Sequence, residues 1–163
     1  MSLDQVQAEG TSAWDYALRC ETDPAAPVTA SGTILIDRPP GVVWSMLGDV
    51  TTWPSIRADV QDVKAEEGLT SGARFSWVAG GVPVQSRFAM VDAGRCLSWT
   101  TEAPGLEVVH VYCFEALGEQ ATRLRASESM AGELVAKAQI GNVELSGRIA
   151  SWLEGIKTLA ESS

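Results

Sequence analysis

The 163-residue sequence has few of the residues that build metal and nucleophile sites. It contains one histidine, His110, and no C-x-x-C pair, so no zinc or other metal site is expected. Its three cysteines, Cys20, Cys96 and Cys113, are odd in number and far apart, which is typical of reduced thiols in the cytoplasm. The signature motifs of serine hydrolases, dinucleotide-binding proteins and P-loop proteins are missing, and no cofactor is expected.

Positive charge is also scarce. Lysine and arginine number 12 against 21 aspartates and glutamates, which gives a net charge of −9. Nucleic acids and anionic membrane surfaces favour basic patches, so neither is expected as a partner. No apolar run approaches the ~18 residues of a membrane span, which argues against stable membrane insertion. The acidic segment MSLDQVQAEG has no apolar signal core and favours a cytoplasmic location.

The composition, 45% hydrophobic and 20% charged, is that of a globular protein. We divide the chain into a partly ordered N-terminal arm, residues 1–28, and one domain, residues 29–163. Within the arm, residues 12–20 are interpreted as a short helix or an extra strand, with Trp14 and either Tyr16 or Leu18 against the domain. A homodimer formed through this arm is one alternative for its role.

The hydrophobic pattern after residue 28 predicts an α+β fold. A first strand, Thr29–Asp37, is followed by two short helices, the first of which begins at Pro39-Pro40 with Asp37 as its cap. Turn residues then separate six further predicted strands, and connections this short require antiparallel neighbours. These strands are Val60–Glu66, Ala73–Val78, Val84–Val91, Cys96–Glu102, Leu106–Leu117 and Thr122–Met130.

The last third of the sequence changes to a helical period. Apolar residues recur every three or four positions from Leu134 to Leu159, which predicts one amphipathic helix of about thirty residues with Gly141 and Leu145 on its apolar stripe. We therefore expect a curved antiparallel sheet of about six to seven strands wrapped around a long C-terminal helix. Glycines along this helix are either tolerated or leave space between helix and sheet.

His110 lies in the strand Leu106–Glu115, where alternation places it on the apolar, inward face with Tyr112. The other face, which includes Val109 and Val111, is interpreted as more exposed. A short loop after this strand predicts that His110 lies opposite Glu128 on the next strand, within hydrogen-bonding reach. The pair is either an acid–base pair or a mutually satisfied polar pair in a cavity that only binds.

A larger group of residues shares the inward face or the helix stripe and is interpreted as either ordinary core or the lining of a ligand site. We expect Trp99 to lie opposite Val108, and Leu97 opposite His110. Arg74 and Arg87 alternate outward. The candidate ligand-binding residues are Phe75, Trp77, Phe88, Met90, Trp99, Val108, Tyr112, Ala126, Gly141 and Leu145.

Several segments carry a family resemblance over about residues 29–161. They include ASGTILIDRPPGVVWSML, DVTTWPSI, GARFSWVAGGVPVQSR, RCLSWTTEAPGLEVVHVYCFEAL and ATRLRASESMAG. With them the chain resembles the START/Bet v1-like superfamily (SRPBCC), and within it the polyketide cyclase/dehydrase-like members. This resemblance implies a helix-grip fold with a deep, mostly apolar cavity between sheet and helix.

The resemblance leaves three functions open. The first is binding of a small hydrophobic molecule, such as a lipid, a polyketide or an aromatic compound. The second is a cofactor-independent cyclase, aromatase or dehydratase in which His110 and Glu128 act as the catalytic acid–base pair. The third is a protein-interaction module.

Overall fold

The computed structural model describes residues 12–162, which form one seven-stranded antiparallel sheet and a long C-terminal helix. The strands are β1 (Val28–Ile36), β2 (Val60–Lys64), β3 (Arg74–Ala79), β4 (Val82–Asp92), β5 (Cys96–Ala103), β6 (Leu106–Ala116) and β7 (Thr122–Ala131). The helices are α1 (Ala13–Leu18), α2 (Pro40–Gly48), α3 (Trp53–Ile56), α4 (Glu133–Lys137) and α5 (Asn142–Glu161), with a 3-10 turn at Val50–Thr52. The predicted fold class is confirmed.

The strand order across the sheet is β1-β7-β6-β5-β4-β3-β2. Consecutive strands from β2 to β7 are therefore neighbours, as their short connections require, and β1 closes the sheet against β7. Helix α5 packs mainly along β1, and it also contacts β7, α2 and α3. No helix within the described part of the chain is long and apolar enough to span a membrane.

The helices between β1 and β2 follow the sequence closely, apart from one cap. Helix α2 begins after Pro39, which occupies the N-cap position and makes no side-chain capping hydrogen bond. The prediction that Asp37 caps this helix is therefore wrong. The next turn begins at Asp49, whose carboxylate accepts a hydrogen bond from the Thr51 backbone N–H. Trp53 follows directly and is fully buried beneath the sheet.

The C-terminal region is two helices and not the single one predicted. Helix α4 ends before Gln139, whose left-handed φ of 54° breaks the helical path. Helix α5 then starts after Gly141, which is its N-terminal cap residue and does not lie on an apolar stripe. The long helix therefore has 20 residues.

The outer face of the sheet is covered where the sequence predicted exposure. Helix α1 packs across β4, β5 and β6. Its buried residues are Ala13 and Ala17, which pack with Val109 and Val111 of β6. Trp14 packs against the same cluster, as predicted, whereas Leu18 is exposed. Small alanines let the helix approach the strands closely, and this approach buries both valines.

Aromatic rings fill much of the space between the sheet and α5. We call the residues concerned the aromatic cluster: Trp53, Phe75, Trp77, Phe88, Trp99 and Trp152. Trp53 is fully buried and contacts four of the other rings at centroid distances of 5.0–5.4 Å. Its indole N–H donates to the Leu47 carbonyl oxygen at 2.9 Å. This side chain thus joins α2 and α3 to both the sheet and α5.

Helix α5 needs a glycine where it crosses α3. A Cβ atom at Gly155 would collide with the backbone oxygen of Ile56, whereas a Cβ at Gly147 would meet no atom within 4 Å. Gly155 thus allows close helix packing, and Gly147 is a helix position with open space around it. Neither glycine lies over the inner face as a space for a ligand.

We expect G155A to lower the free energy of unfolding by roughly 1–3 kcal/mol, because the backbone of α3 must shift. The matched variant G147A should raise it by up to about 1 kcal/mol, because alanine is the better helix former and nothing opposes its methyl group. Urea denaturation of both variants measures this difference. Equal effects of the two substitutions would contradict the close approach of α5 and α3.

Candidate functional site

A chain of contacting polar side chains crosses five neighbouring strands on the inner face. The Trp77 indole N–H donates to Ser86 Oγ at 2.9 Å, and Ser86 Oγ lies 2.9 Å from Thr101 Oγ1. Thr101 Oγ1 is 3.0 Å from His110 Nε2, and His110 Nδ1 is 3.3 Å from Glu128 Oε1. We call these five residues the polar chain. It ends at the two residues that the sequence predicted as a pair.

The register of the strands explains why these side chains meet. His110 is directly opposite Glu128, as predicted, because a short loop joins β6 and β7. The β5–β6 register differs from the prediction by two residues, so that Trp99 lies opposite His110 and Leu97 opposite Tyr112. The cause is a two-residue turn at Pro104-Gly105, in which Gly105 adopts a φ of 75°.

This shift brings Thr101 into reach of His110. The inward residues of β5 are still the predicted ones, because a shift of two keeps the same face. Trp99 is directly opposite His110, and Thr101 lies two residues further along β5, diagonally from His110. Its hydroxyl therefore reaches the imidazole. Ser86 lies directly opposite Thr101 on β4 and extends the polar chain. Neither hydroxyl was predicted from the sequence, because a serine or a threonine on an inward strand face has no distinctive sequence pattern.

Desolvation decides the protonation of the pair. The side chains of His110 and Glu128 are 12% and 5% exposed. Burial lowers the pKa of His110 to about 3 and raises the pKa of Glu128 to about 7. Glu128 therefore keeps its proton below about pH 7 and loses it above that value. The imidazole is neutral at neutral pH.

When Glu128 is ionised, the hydrogen bonds of the polar chain all run in one direction, from Trp77 towards His110. An indole N–H only donates, so the Ser86 oxygen accepts from Trp77 and its own hydrogen is available to Thr101. An ionised Glu128 carboxylate, 3.3 Å from Nδ1, favours the imidazole hydrogen on Nδ1, so Nε2 is free to accept a hydrogen bond from the Thr101 hydroxyl. The carboxylate and the polar chain together therefore favour the Nδ1–H tautomer of His110.

Two arginines outside the β6–β7 hairpin affect the electrostatics of the site. The positive charges of Arg148 on α5 and Arg57 after α3 oppose the rise in the pKa of Glu128. Arg57 is held by Asp59, whose Oδ2 accepts a hydrogen bond from Nη2 at 2.7 Å. Neither arginine was predicted, because each reaches the site from a different element and nothing local in the sequence marks it.

Trp99 presents an unsatisfied donor beside the pair. Its ring stacks on His110 at a centroid distance of 4.9 Å and on Tyr112 at 5.3 Å. The Trp99 indole nitrogen is buried and has no hydrogen-bond partner among residues 12–162. A buried donor left unpaired costs about 1–3 kcal/mol. Burial also raises the pKa of Tyr112 well above its usual value, so its hydroxyl keeps its proton.

A cavity of about 290 Å³ opens at the rim of the sheet beside the aromatic cluster. Its lining includes Trp44, Gly48 and Val50 from the α2 region, Leu69 from the β2–β3 loop, and Phe88 from β4. Phe88 lies 6.1 Å from Trp99 between ring centroids, so the aromatic cluster connects this cavity to the stack at His110. The volume is near the lower end of the roughly 300–1,000 Å³ usual for ligand pockets.

The structure places most of the predicted ligand-binding residues on the inner face. Eight of the ten belong to one buried cluster: Phe75, Trp77, Phe88, Trp99, Val108, Tyr112, Ala126 and Leu145. Met90 does not, because a bulge in β4 puts Ala89 and Met90 together opposite Ser98 and turns Val91 inward instead. Gly141 is the cap of α5 and lies outside this cluster.

The two arginines predicted to face outward do so. Arg74 is exposed, and the Arg87 guanidinium lies over the Trp14 ring at 3.4 Å from its centroid. Cys113 is an exposed thiol on the face opposite His110. These positions leave the His110–Glu128 pair, Thr101, Trp99 and Tyr112 as the polar groups that define the site.

Solved structures of other proteins share this architecture. A hypothetical protein from Helicobacter pylori superposes with a TM-score of 0.72 at 21% identity, covering 84% of this chain and 90% of that one. Norcoclaurine synthase from Thalictrum flavum, in complex with dopamine and hydroxybenzaldehyde, gives 0.62 at 10%, covering 82% and 86%. The Zhui aromatase/cyclase from Streptomyces sp. R1128 gives 0.62 at 19%, covering 82% and 93%. Identities this low show the fold alone.

A seven-stranded antiparallel sheet packed around a long C-terminal helix is the architecture of a Bet v1-like protein. Residues 27–161 match the family model described as polyketide cyclase / dehydrase and lipid transport. The chain belongs to that family, which supports a ligand-binding or cyclase role. No curated protein sequence matches the chain.

The shifted pKa values of His110 and Glu128 predict opposite pH dependences for two variants. Between pH 4.5 and 6.5 the folded pair holds one proton, on Glu128, and the unfolded chain also holds one, on His110. In E128Q only the unfolded state binds the proton, so stability falls as pH drops below 6.5. In H110N only the folded state binds it, so stability falls as pH rises from 4.5 to about 7.

The limiting slope is about 1.4 kcal/mol per pH unit in each variant, relative to the wild type. Chemical denaturation at a series of pH values measures both slopes. Variants whose stability runs parallel to the wild type across this range would show that neither group is perturbed by burial.

Proposed function

We propose that this protein binds a small, mostly apolar molecule with one polar group, and that the His110–Glu128 pair holds that group. The observation that carries this proposal is the buried pair itself, joined to the polar chain while the imidazole keeps 12% of its side chain exposed. Burying two ionisable groups is unfavourable, and a site that recognises a polar ligand atom gives a reason for it.

The nature of the polar group follows from the hydrogen-bonding capacity around the pair. Glu128 accepts a hydrogen bond when ionised and donates one when protonated, so it is suited to a hydroxyl or a carbonyl group. The unpaired N–H of Trp99 only donates, and an oxygen acceptor on the ligand would satisfy it. Phenols, enols and ketones carry such an oxygen. A permanent ligand charge would add to the desolvation cost of the site.

The apolar part of the ligand is assigned to the aromatic cluster and the rim cavity. The cavity of about 290 Å³ accommodates a molecule of a few rings or a short chain, not a large lipid. Phe88, which lines the cavity, contacts Trp99, which in turn stacks on His110, so packed rings join the cavity to the pair. Flat aromatic ligands stack favourably on such rings.

Acid–base catalysis is the second candidate function. It is favoured by the shared proton, because a group with a pKa of about 7 exchanges protons efficiently near neutral pH. Two similar structures are named as a synthase and an aromatase/cyclase, which is consistent with this candidate. The reaction would be proton transfer at a carbon next to a carbonyl group, with Glu128 as the base.

Displacement of the neutral fluorescent probe N-phenyl-1-naphthylamine tests the binding proposal. The two competitors are 2-naphthol and naphthalene, which differ only by the hydroxyl group. We expect the wild type to prefer 2-naphthol by about tenfold in dissociation constant, which corresponds to one hydrogen bond of about 1.4 kcal/mol. The variants H110N and E128Q should lose this preference but still bind naphthalene.

Arg123→Gln is the matched control, because Arg123 pairs with Glu115 on the outer face and should leave both constants unchanged. Equal affinities for the two competitors in the wild type would remove the pair from ligand recognition. Deuterium uptake by the ketone 2-tetralone in D₂O separates the candidates. A rate above that of the buffer, lost in E128Q, supports catalysis; a rate equal to that of the buffer supports binding alone.

A further inference from the structure

Three cysteines that are distant in the sequence meet on the outer face of the sheet. Cys20 follows helix α1, Cys96 is the first residue of β5, and Cys113 lies directly opposite Cys96 on β6. Their sulfur atoms all lie within 4.8 Å of one another. In this structure Cys20 and Cys96 are joined by a disulfide and Cys113 is a free thiol, so the expectation of three reduced thiols is wrong for Cys20 and Cys96. We call these residues the cysteine cluster.

The backbone at Cys20 is unusual for a residue with a side chain. Its φ of 58° is left-handed, a conformation that costs an L-residue about 1–2 kcal/mol. Glycine is the usual choice just after a helix for this reason. A cysteine is present instead, and its conformation directs the sulfur onto the sheet beside the other two.

Helix α1 has little else to hold it in place. It has six residues, too few for a helix to be stable without tertiary contacts. Its apolar contacts to the sheet come from Ala13, Ala17 and the half-buried Trp14, and Ser98 Oγ donates a hydrogen bond to the Ala17 carbonyl oxygen at 2.6 Å. The link through Cys20 is therefore a major attachment of α1 to the sheet.

We propose that the reduced cysteine cluster binds one thiophilic metal ion of the zinc type through three thiolates. Tetrahedral zinc with Zn–S bonds of about 2.3 Å separates its sulfur ligands by roughly 3.8 Å. Three sulfurs within 4.8 Å of one another reach that geometry with small side-chain movements. Coordination deprotonates the thiols as the ion binds.

The surroundings fit such an ion. Three thiolates and a divalent ion carry a net charge of −1, and Arg125, which lies directly opposite Cys113 on β7, supplies a nearby positive charge. Cys113 is exposed, so the fourth coordination position faces solvent and is available to water or to a ligand. The metal would fix α1 to β5 and β6 in the reduced protein.

The disulfide and the metal exclude one another, because both use the sulfurs of Cys20 and Cys96. The test therefore uses the full-length protein reduced with a phosphine, freed of metal and kept without oxygen. Cobalt(II) is added as a spectroscopic probe and zinc(II) as a competitor. Single variants C20S, C96S and C113S are compared with the triple serine variant, which measures background binding to carboxylates.

We expect one cobalt per chain, with thiolate-to-cobalt charge-transfer absorption in the near ultraviolet and displacement by zinc. The triple variant should lack this absorption, and each single variant should bind at least tenfold more weakly. Cobalt uptake no greater than in the triple variant would overturn the proposal. C113S binding as tightly as the wild type would also overturn it, because the site would then have only two thiolates. Since Cys113 is exposed, C113S should fold normally.

Discussion

The desolvation of the His110–Glu128 pair is the constraint on which the inner face depends. Two ionisable side chains lie at 12% and 5% exposure in an otherwise aromatic interior, and water cannot compensate their charges. The pair holds one proton, which lowers its charge, and a run of hydroxyl and indole side chains that ends at Trp77 provides hydrogen-bonding partners. Each strand from β3 to β7 contributes one member, so the integrity of the sheet and the protonation of the pair are linked.

The rest of the fold supports this arrangement from both sides. On the inner face, Trp53 joins the short helices to the sheet and to α5, while Gly155 allows α5 to approach closely. On the outer face, α1 covers Val109 and Val111, whose strand carries His110 between them. The family to which the chain belongs is described as polyketide cyclase / dehydrase and lipid transport. In our proposal the polar pair holds the polar group of a small molecule.

The helices, the strands and the β6–β7 register could be predicted from the sequence, because alternating hydrophobicity and short loops allow few arrangements. For this reason the pairing of His110 with Glu128 was predicted correctly. Other features depend on tertiary structure. The two-residue turn before β6 moved Trp99 relative to its partner, and a bulge turned Met90 away from the interior. Gln139 ends one helical path, and Gly141 caps the start of the next. Arg57 reaches Glu128 from an element with no local sign of that role.

The protonation state of His110 can be measured directly, because His110 is the single histidine of the sequence. In a ¹⁵N-histidine-labelled sample only His110 gives signals, and their chemical shifts distinguish the two neutral tautomers from the imidazolium ion. We predict that His110 is in the neutral Nδ1–H form at pH 8. As the pH is lowered, the imidazolium ion should form only near pH 3. An imidazolium that forms with a pKa near 6.5, or the Nε2–H tautomer at pH 8, would contradict it.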